Sequence, residues 1–85
     1  MKVAHMAEMF HLPMATGGAF HLHNSHIIGG VANGLMTEYH LGSSQTTDAV
    51  FINPPKPVRG RFTLLSGPGL GLELNHDALE EYAIF

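Results

Sequence analysis

Apolar residues change their spacing in a regular way along the first half of the chain. Val3, Met6, Ala7 and Phe10 recur three and four positions apart with His5 and Glu8 between them, which predicts an amphipathic helix within residues 1–11. The run His11-Leu12-Pro13-Met14-Ala15-Thr16 then meets Gly17-Gly18 and predicts a short strand stopped by a glycine pair. Residues 19–32 return to helical spacing through Phe20, Ser25, Ile27, Ile28, Val31 and Ala32, about four turns, with Asn33-Gly34 as the expected stop. A second apolar strand, Gly34 to Glu38, closes on a carboxylate.

Helix, strand, helix, strand with uniformly apolar strands is the pattern of an α/β fold with a parallel sheet covered on both faces. Two strands do not make such a sheet, and the rest of the chain offers no third strand of the same kind. Residues 42–48, GSSQTTD, predict a loop or polar turn. Ala49 to Ile52 is a short apolar segment, and Asn53-Pro54-Pro55-Lys56-Pro57 is an extended strap, because each proline fixes its own φ and restrains the residue before it. Arg61 to Leu64 suggests one strand of a hairpin and Ser66 to Gly71 a turn-rich loop. Asn75 or Asp77 is placed to cap a last helical turn through Ala78, Leu79 and Tyr82.

Composition sharpens this picture. With 45% hydrophobic and 13% charged residues the chain is built to bury surface, yet ten glycines and five prolines in 85 residues leave little area to stabilise so many turns. Part of the fold is therefore expected to lie elsewhere, in a missing N-terminal region or in a second copy through self-association. Lys2, Lys56, Arg59 and Arg61 are the only lysines and arginines, against seven acidic residues, too few to neutralise a row of phosphates; nucleic acid is not an expected partner. No cysteine supplies a disulfide, no apolar run approaches the ~20 residues that span a bilayer, and residues 1–10 do not form a signal-peptide core. A cytoplasmic protein without a membrane partner is expected.

Seven histidines are the most conspicuous chemical feature, and His21, His23 and His26 lie close together. On a helix His23 and His26 share a face while His21 sits about 200° from His23, so the three converge on a metal only if the segment is a strand. Local hydrogen bonding on a partly exposed helix is the plainer reading for them, as for His5, His11 and His76. A small stand-alone His-rich metal-binding or oligomerising module is the alternative function. Glu38 is more pointed, since α/β sheets place their ligands at the C-terminal ends of parallel strands; a solvated strand end is the competing explanation. Gly17-Gly18 stand at the same level on the preceding strand, where glycine leaves room for a substrate or simply turns the chain. Gly67-Pro68-Gly69-Leu70-Gly71 lacks the Lys-Ser/Thr of a phosphate loop, and neither a nucleophile elbow nor a thiol nucleophile is present.

The runs HLPMATGGAFHLHNSHIIGGVANGLMTEYH and DAVFINPPKPVRGRFTLLSGPGLGLELNHDALEEY resemble the C-terminal end of the mandelate racemase/muconate lactonizing enzyme subgroup of the enolase superfamily. The resemblance covers nearly the whole chain and is most specific at Gly60, Pro68-Gly69-Leu70-Gly71 and Glu73. It implies a TIM-like (β/α) barrel with a capping domain, residues 1–40 supplying the last βα units and 41–85 the segment returning toward the cap. It also implies a lyase or isomerase that removes the proton α to a carboxylate of an acid sugar or hydroxy acid, with Mg²⁺ holding the enolate, leading to dehydration or racemisation.

In such enzymes the metal carboxylates and the lysine base sit on the second to fifth strands, so Mg²⁺ is expected in the full-length relatives and no cofactor in this chain alone. The family's histidine base ends the seventh strand, where this chain has Gly17 or Gly18, with His21 about one helical turn further on; His21 is thereby a candidate catalytic residue and the glycines candidate substrate-binding positions. Glu38 matches the glutamate of the eighth strand, which hydrogen-bonds the substrate carboxylate or its enolate. To donate that bond Glu38 needs surroundings this chain does not contain, so the isolated chain is expected to be inactive.

Overall fold

The computed structural model of the chain describes residues 1–18 and 20–84. These form two compact units, residues 1–40 and 41–85.

In the first unit, α1 (Lys2–Met9) is followed by β1 (Met14–Thr16), α2 (His21–Gly29) and β2 (Gly34–Thr37). The strands pair in parallel, Met14 with Gly34, Ala15 with Met36 and Thr16 with Thr37, with a shift of register after Met14. The alternation read from apolar spacing is thus present, with shorter elements. Helix α1 ends in a Schellman motif: Leu12 N–H donates to Ala7 C=O and His11 N–H to Glu8 C=O, both at 2.9 Å. His11, at φ 56°, takes the left-handed position that glycine usually fills.

Helix α2 ends at Gly29 with Gly30 as its cap, short of the expected Ala32; Ala19, the expected first residue, lies outside the described residues. Asn33-Gly34 does not stop the helix but opens β2. Gly34 is required there by packing, because a Cβ would stand 2.2 Å from the Ile28 carbonyl oxygen. Asn33 ties the unit together, its Nδ2 donating to Ala4 C=O at 2.9 Å and Leu12 C=O at 3.0 Å. It thereby links α1, the segment that follows it and the start of β2.

The expected apolar stripe of α1 does not face a core. Val3, Met6 and Phe10 are each more than 60% exposed, and Ala4 is the helix's buried residue. On β2, Leu35 and Met36 are 59% and 58% exposed. Strands expected to be covered on both faces are therefore open, because a two-stranded sheet has one helix packed on it and no neighbouring strand among the described residues.

In the second unit the polar stretch is a helix, not a loop: α3 spans Leu41–Val50. Serine and threonine weaken helices by competing for backbone hydrogen bonds, but here Ser44 Oγ donates to Leu41 C=O at 2.7 Å and Thr47 Oγ1 to Ser43 C=O at 3.1 Å, inside the helix. The chain then runs as the expected proline strap to a tight turn in which Val58 and Arg61 exchange N–H···O bonds of 2.8 and 3.0 Å. Arg59 and Gly60 both have positive φ, the requirement of a two-residue hairpin turn. Among the described residues that bridge is not continued past Arg61, so Arg61 to Leu64 is not a strand. The last helix, α4 (His76–Tyr82), is capped by Asn75, whose Oδ1 accepts from Ala78 N–H at 3.3 Å; Asp77 lies in the first turn. Asn75 also joins α4 to the end of α3, its N–H donating to Val50 C=O at 2.7 Å and Nδ2 to Ala49 C=O at 3.4 Å.

Candidate functional site

The C-terminal ends of β1 and β2 lie side by side, which brings Gly17, Gly18 and Glu38 together. Glu38 N–H donates to Thr16 C=O at 2.9 Å, continuing the ladder one residue beyond the paired strands. Its side chain turns toward the neighbouring strand end, where Gly18 N–H donates to Oε2 at 2.7 Å. Gly18 has φ 94°, a conformation open to glycine and strained for other residues, and this aims the amide at the carboxylate. At Gly17 a Cβ would stand 3.6 Å from Oε2, an ordinary contact. Its small size is therefore permissive at this point and not obligatory.

Two further groups complete the strand ends. Asn24, on the first turns of α2, donates through Nδ2 to Gly17 C=O at 3.2 Å and so braces the loop from the helix side. Thr16 and Thr37, paired across the sheet, place their hydroxyls 3.3 Å apart immediately before Gly17 and Glu38. Neither the threonines nor Asn24 stood out in the sequence. The signal was a threonine one residue before each chosen strand end, which becomes meaningful once the register aligns them.

His21 is placed differently. It is the first residue of α2 and 1% exposed, with its ring centroid 4.7 Å from that of Tyr39, the residue after Glu38. It packs against the chain following β2, whereas Glu38 and the glycines are exposed. His23 is exposed and meets Phe20 edge-on, with ring centroids 6.2 Å apart. Since residues 21–29 are helical, the condition for His21 and His23 to chelate together is not met, and among the described residues no three His, Asp or Glu side chains could hold a metal ion. The groups present here do not fit a Mg²⁺ site: the one carboxylate at the strand ends has an oxygen engaged by an amide.

At the opposite ends of the strands a hollow of about 430 Å³ is lined by Glu8, His11, Leu12, Pro13, Asn33 and Leu35 among others. No described helix is long and apolar enough to cross a membrane.

A family model described as enolase C-terminal domain-like matches residues 1–78. The chain belongs to that family, and its helix–strand alternation with a parallel strand pair agrees with the assignment. No curated protein matches the chain.

Proposed function

We propose that this chain forms part of the substrate-facing rim of an enolase-superfamily enzyme of the mandelate racemase/muconate lactonizing type, acting on an acid sugar or hydroxy acid. The reaction is removal of the proton α to a carboxylate, leading to dehydration or racemisation. The observation that supports this reading is the single cluster at the C-terminal ends of two adjacent parallel strands, where Glu38 and Gly18 are joined at 2.7 Å. Glu38 contacts substrate, and Gly17-Gly18 leave space beside it. His21 acts as a positioning residue, holding Tyr39 and through it the turn that carries Glu38.

These residues supply contacts and no proton transfer of their own. The metal and the base for such chemistry belong to other strands, so the chain alone is inactive. Its exposed apolar residues, Leu35 and Met36 on the sheet and Val3, Met6 and Phe10 on α1, favour self-association until a neighbouring segment or a second copy covers them.

The test is a titration of the ¹⁵N-labelled chain with D-gluconate, followed by deuterium uptake at the sugar's α carbon with Mg²⁺ in D₂O. Shifts centred on the Gly18 and Tyr39 amides, with no uptake, are expected. Shifts confined to other regions, or uptake catalysed by the chain alone, would overturn the reading.

A further inference from the structure

We propose that helix α1 carries a binding site for a soft monovalent metal ion, copper(I), formed by the His5 imidazole and the thioethers of Met6 and Met9. The site is separate from the strand-end cluster and goes beyond the function proposed above.

The placement follows from the helix itself. Residues 2–9 are helical. At 3.6 residues per turn Met9 stands about 40° and Met6 about 100° around the axis from His5. His5 and Met9, four apart, and Met6 and Met9, three apart, are therefore surface neighbours with Cβ atoms about 5–6 Å from each other. Long side chains at these spacings reach a common point above the helix. The buried residue of α1, Ala4, lies on the other side of His5, and the three donors are turned outward: Met6 and Met9 are 61% and 79% exposed, and His5 is exposed too. Among the described residues no hydrogen bond engages the His5 ring. All three donors lie within residues 5–9, so no strand or helix beyond α1 is needed to assemble them.

The donors select the ion. Thioether sulfur is polarizable, soft and uncharged, and it suits copper(I) better than the divalent ions that carboxylates and imidazoles take. Two thioethers and a neutral imidazole bring no negative charge to offset a divalent cation. The chain has no cysteine, so no thiolate within it competes for a soft ion. No group of three His, Asp or Glu side chains among the described residues offers a harder site. Met9 is the last residue of α1, the end at which a helix dipole favours positive charge.

The experiment uses the full chain labelled with ¹³C at the methionine methyl groups, with silver(I) nitrate in chloride-free buffer as an air-stable probe of the same ligand preference. Silver(I) should move the Met6 and Met9 methyl signals together with the His5 ring signals and saturate at a single equivalent. The methyl signals of Met14 and Met36, which lie on the strands, should stay in place. Copper(I), kept reduced by ascorbate, should reproduce the pattern, and zinc should not. His5→Ala should weaken the response by at least the roughly tenfold that altering a metal's supporting groups costs. Met9→Leu, which keeps the size and apolar character of the side chain, should weaken the shifts of His5 and Met6 in the same way. Both positions are exposed, so helix content by circular dichroism should not change.

Shifts shared equally by Met14 and Met36 would overturn the inference, as would a Met6 response unchanged in both variants. Silver binding that copper(I) does not reproduce, or that zinc does, would overturn the choice of ion. None of these results bears on the strand-end site, which is probed with gluconate.

Discussion

Residues 1–40 and 41–84 satisfy their backbones by different means. In the first unit the helices and strands follow one another with short joints, and the joints are closed by repeating devices: a Schellman turn at His11, a strand ladder, and Asn33 bridging Ala4 and Leu12. In the second, two helices are linked by a long path of proline, glycine and turns. Single contacts hold that path, including the Phe51–Leu74 bridge, the Asn53 side chain on Glu73 N–H and Asn75 at the head of α4. The contrast shows what proline and glycine do in a short chain. They define where it bends, but they give up the ladder hydrogen bonds and side-chain burial by which regular elements hold one another.

Substitutions should separate the two regimes. The largest effect is expected for Gly34→Ala, whose new methyl would overlap the Ile28 carbonyl; since backbone must move, about 3 kcal/mol should be lost. Hydrogen exchange should rise across residues 1–40 first, and an equal rise across 41–84 would show that the two regions unfold as one. Leu22→Ala comes next: Leu22 is 6% exposed and is among the few buried apolar side chains, so a loss of about 2–3 kcal/mol is expected by denaturant titration.

Gly71→Ala is the counterpart in the second unit. Gly71 has φ 70° and its Cβ would lie 2.6 Å from Leu65 Cβ, so about 2 kcal/mol should be lost, read as faster exchange around residues 65–71. Asn75→Ala removes the helix cap and should cost about 1 kcal/mol, visible as fraying of α4 amides with those of α2 unchanged. The smallest effect is expected for Lys56→Ala. Its ion pair with Asp48 is 2.9 Å long, but the side chains are 61% and 37% exposed, so the melting midpoint should reflect no more than about 0.5 kcal/mol.

The legibility of the fold follows the same division. Helix α1, β1, α2 and β2 could be read because the spacing of apolar residues changes between elements, and the cap at Asn75 because its side chain is suited to an N-terminus. Helix α3 was hidden: Gly42 to Asp48 has the composition of a turn, yet Ser44 and Thr47 turn their hydroxyls onto carbonyls of the helix they sit in. The end of α2 was hidden too, since Asn33-Gly34 reads as a stop while its actual task is to bridge α1 and admit Ile28 closely. Arg61 to Leu64 looked like a strand because its residues suit one, but a single bridge at Val58 and Arg61 gives it no partner to continue with.

For the candidate site, residue type and position along the chain were enough to select Glu38, Gly17 and Gly18. Only the fold revealed that Gly18 donates to Glu38 and that Thr16 and Thr37 stand together. Only the fold showed that His21 packs on Tyr39 instead of standing open with Glu38. Local periodicity is a property of neighbours in the chain, so it determined the order of elements and the strand end on which a carboxylate would fall. The direction of a hydrogen bond and the burial of an imidazole depend on residues some twenty positions apart. Those are decided when parallel pairing sets the two strand ends side by side.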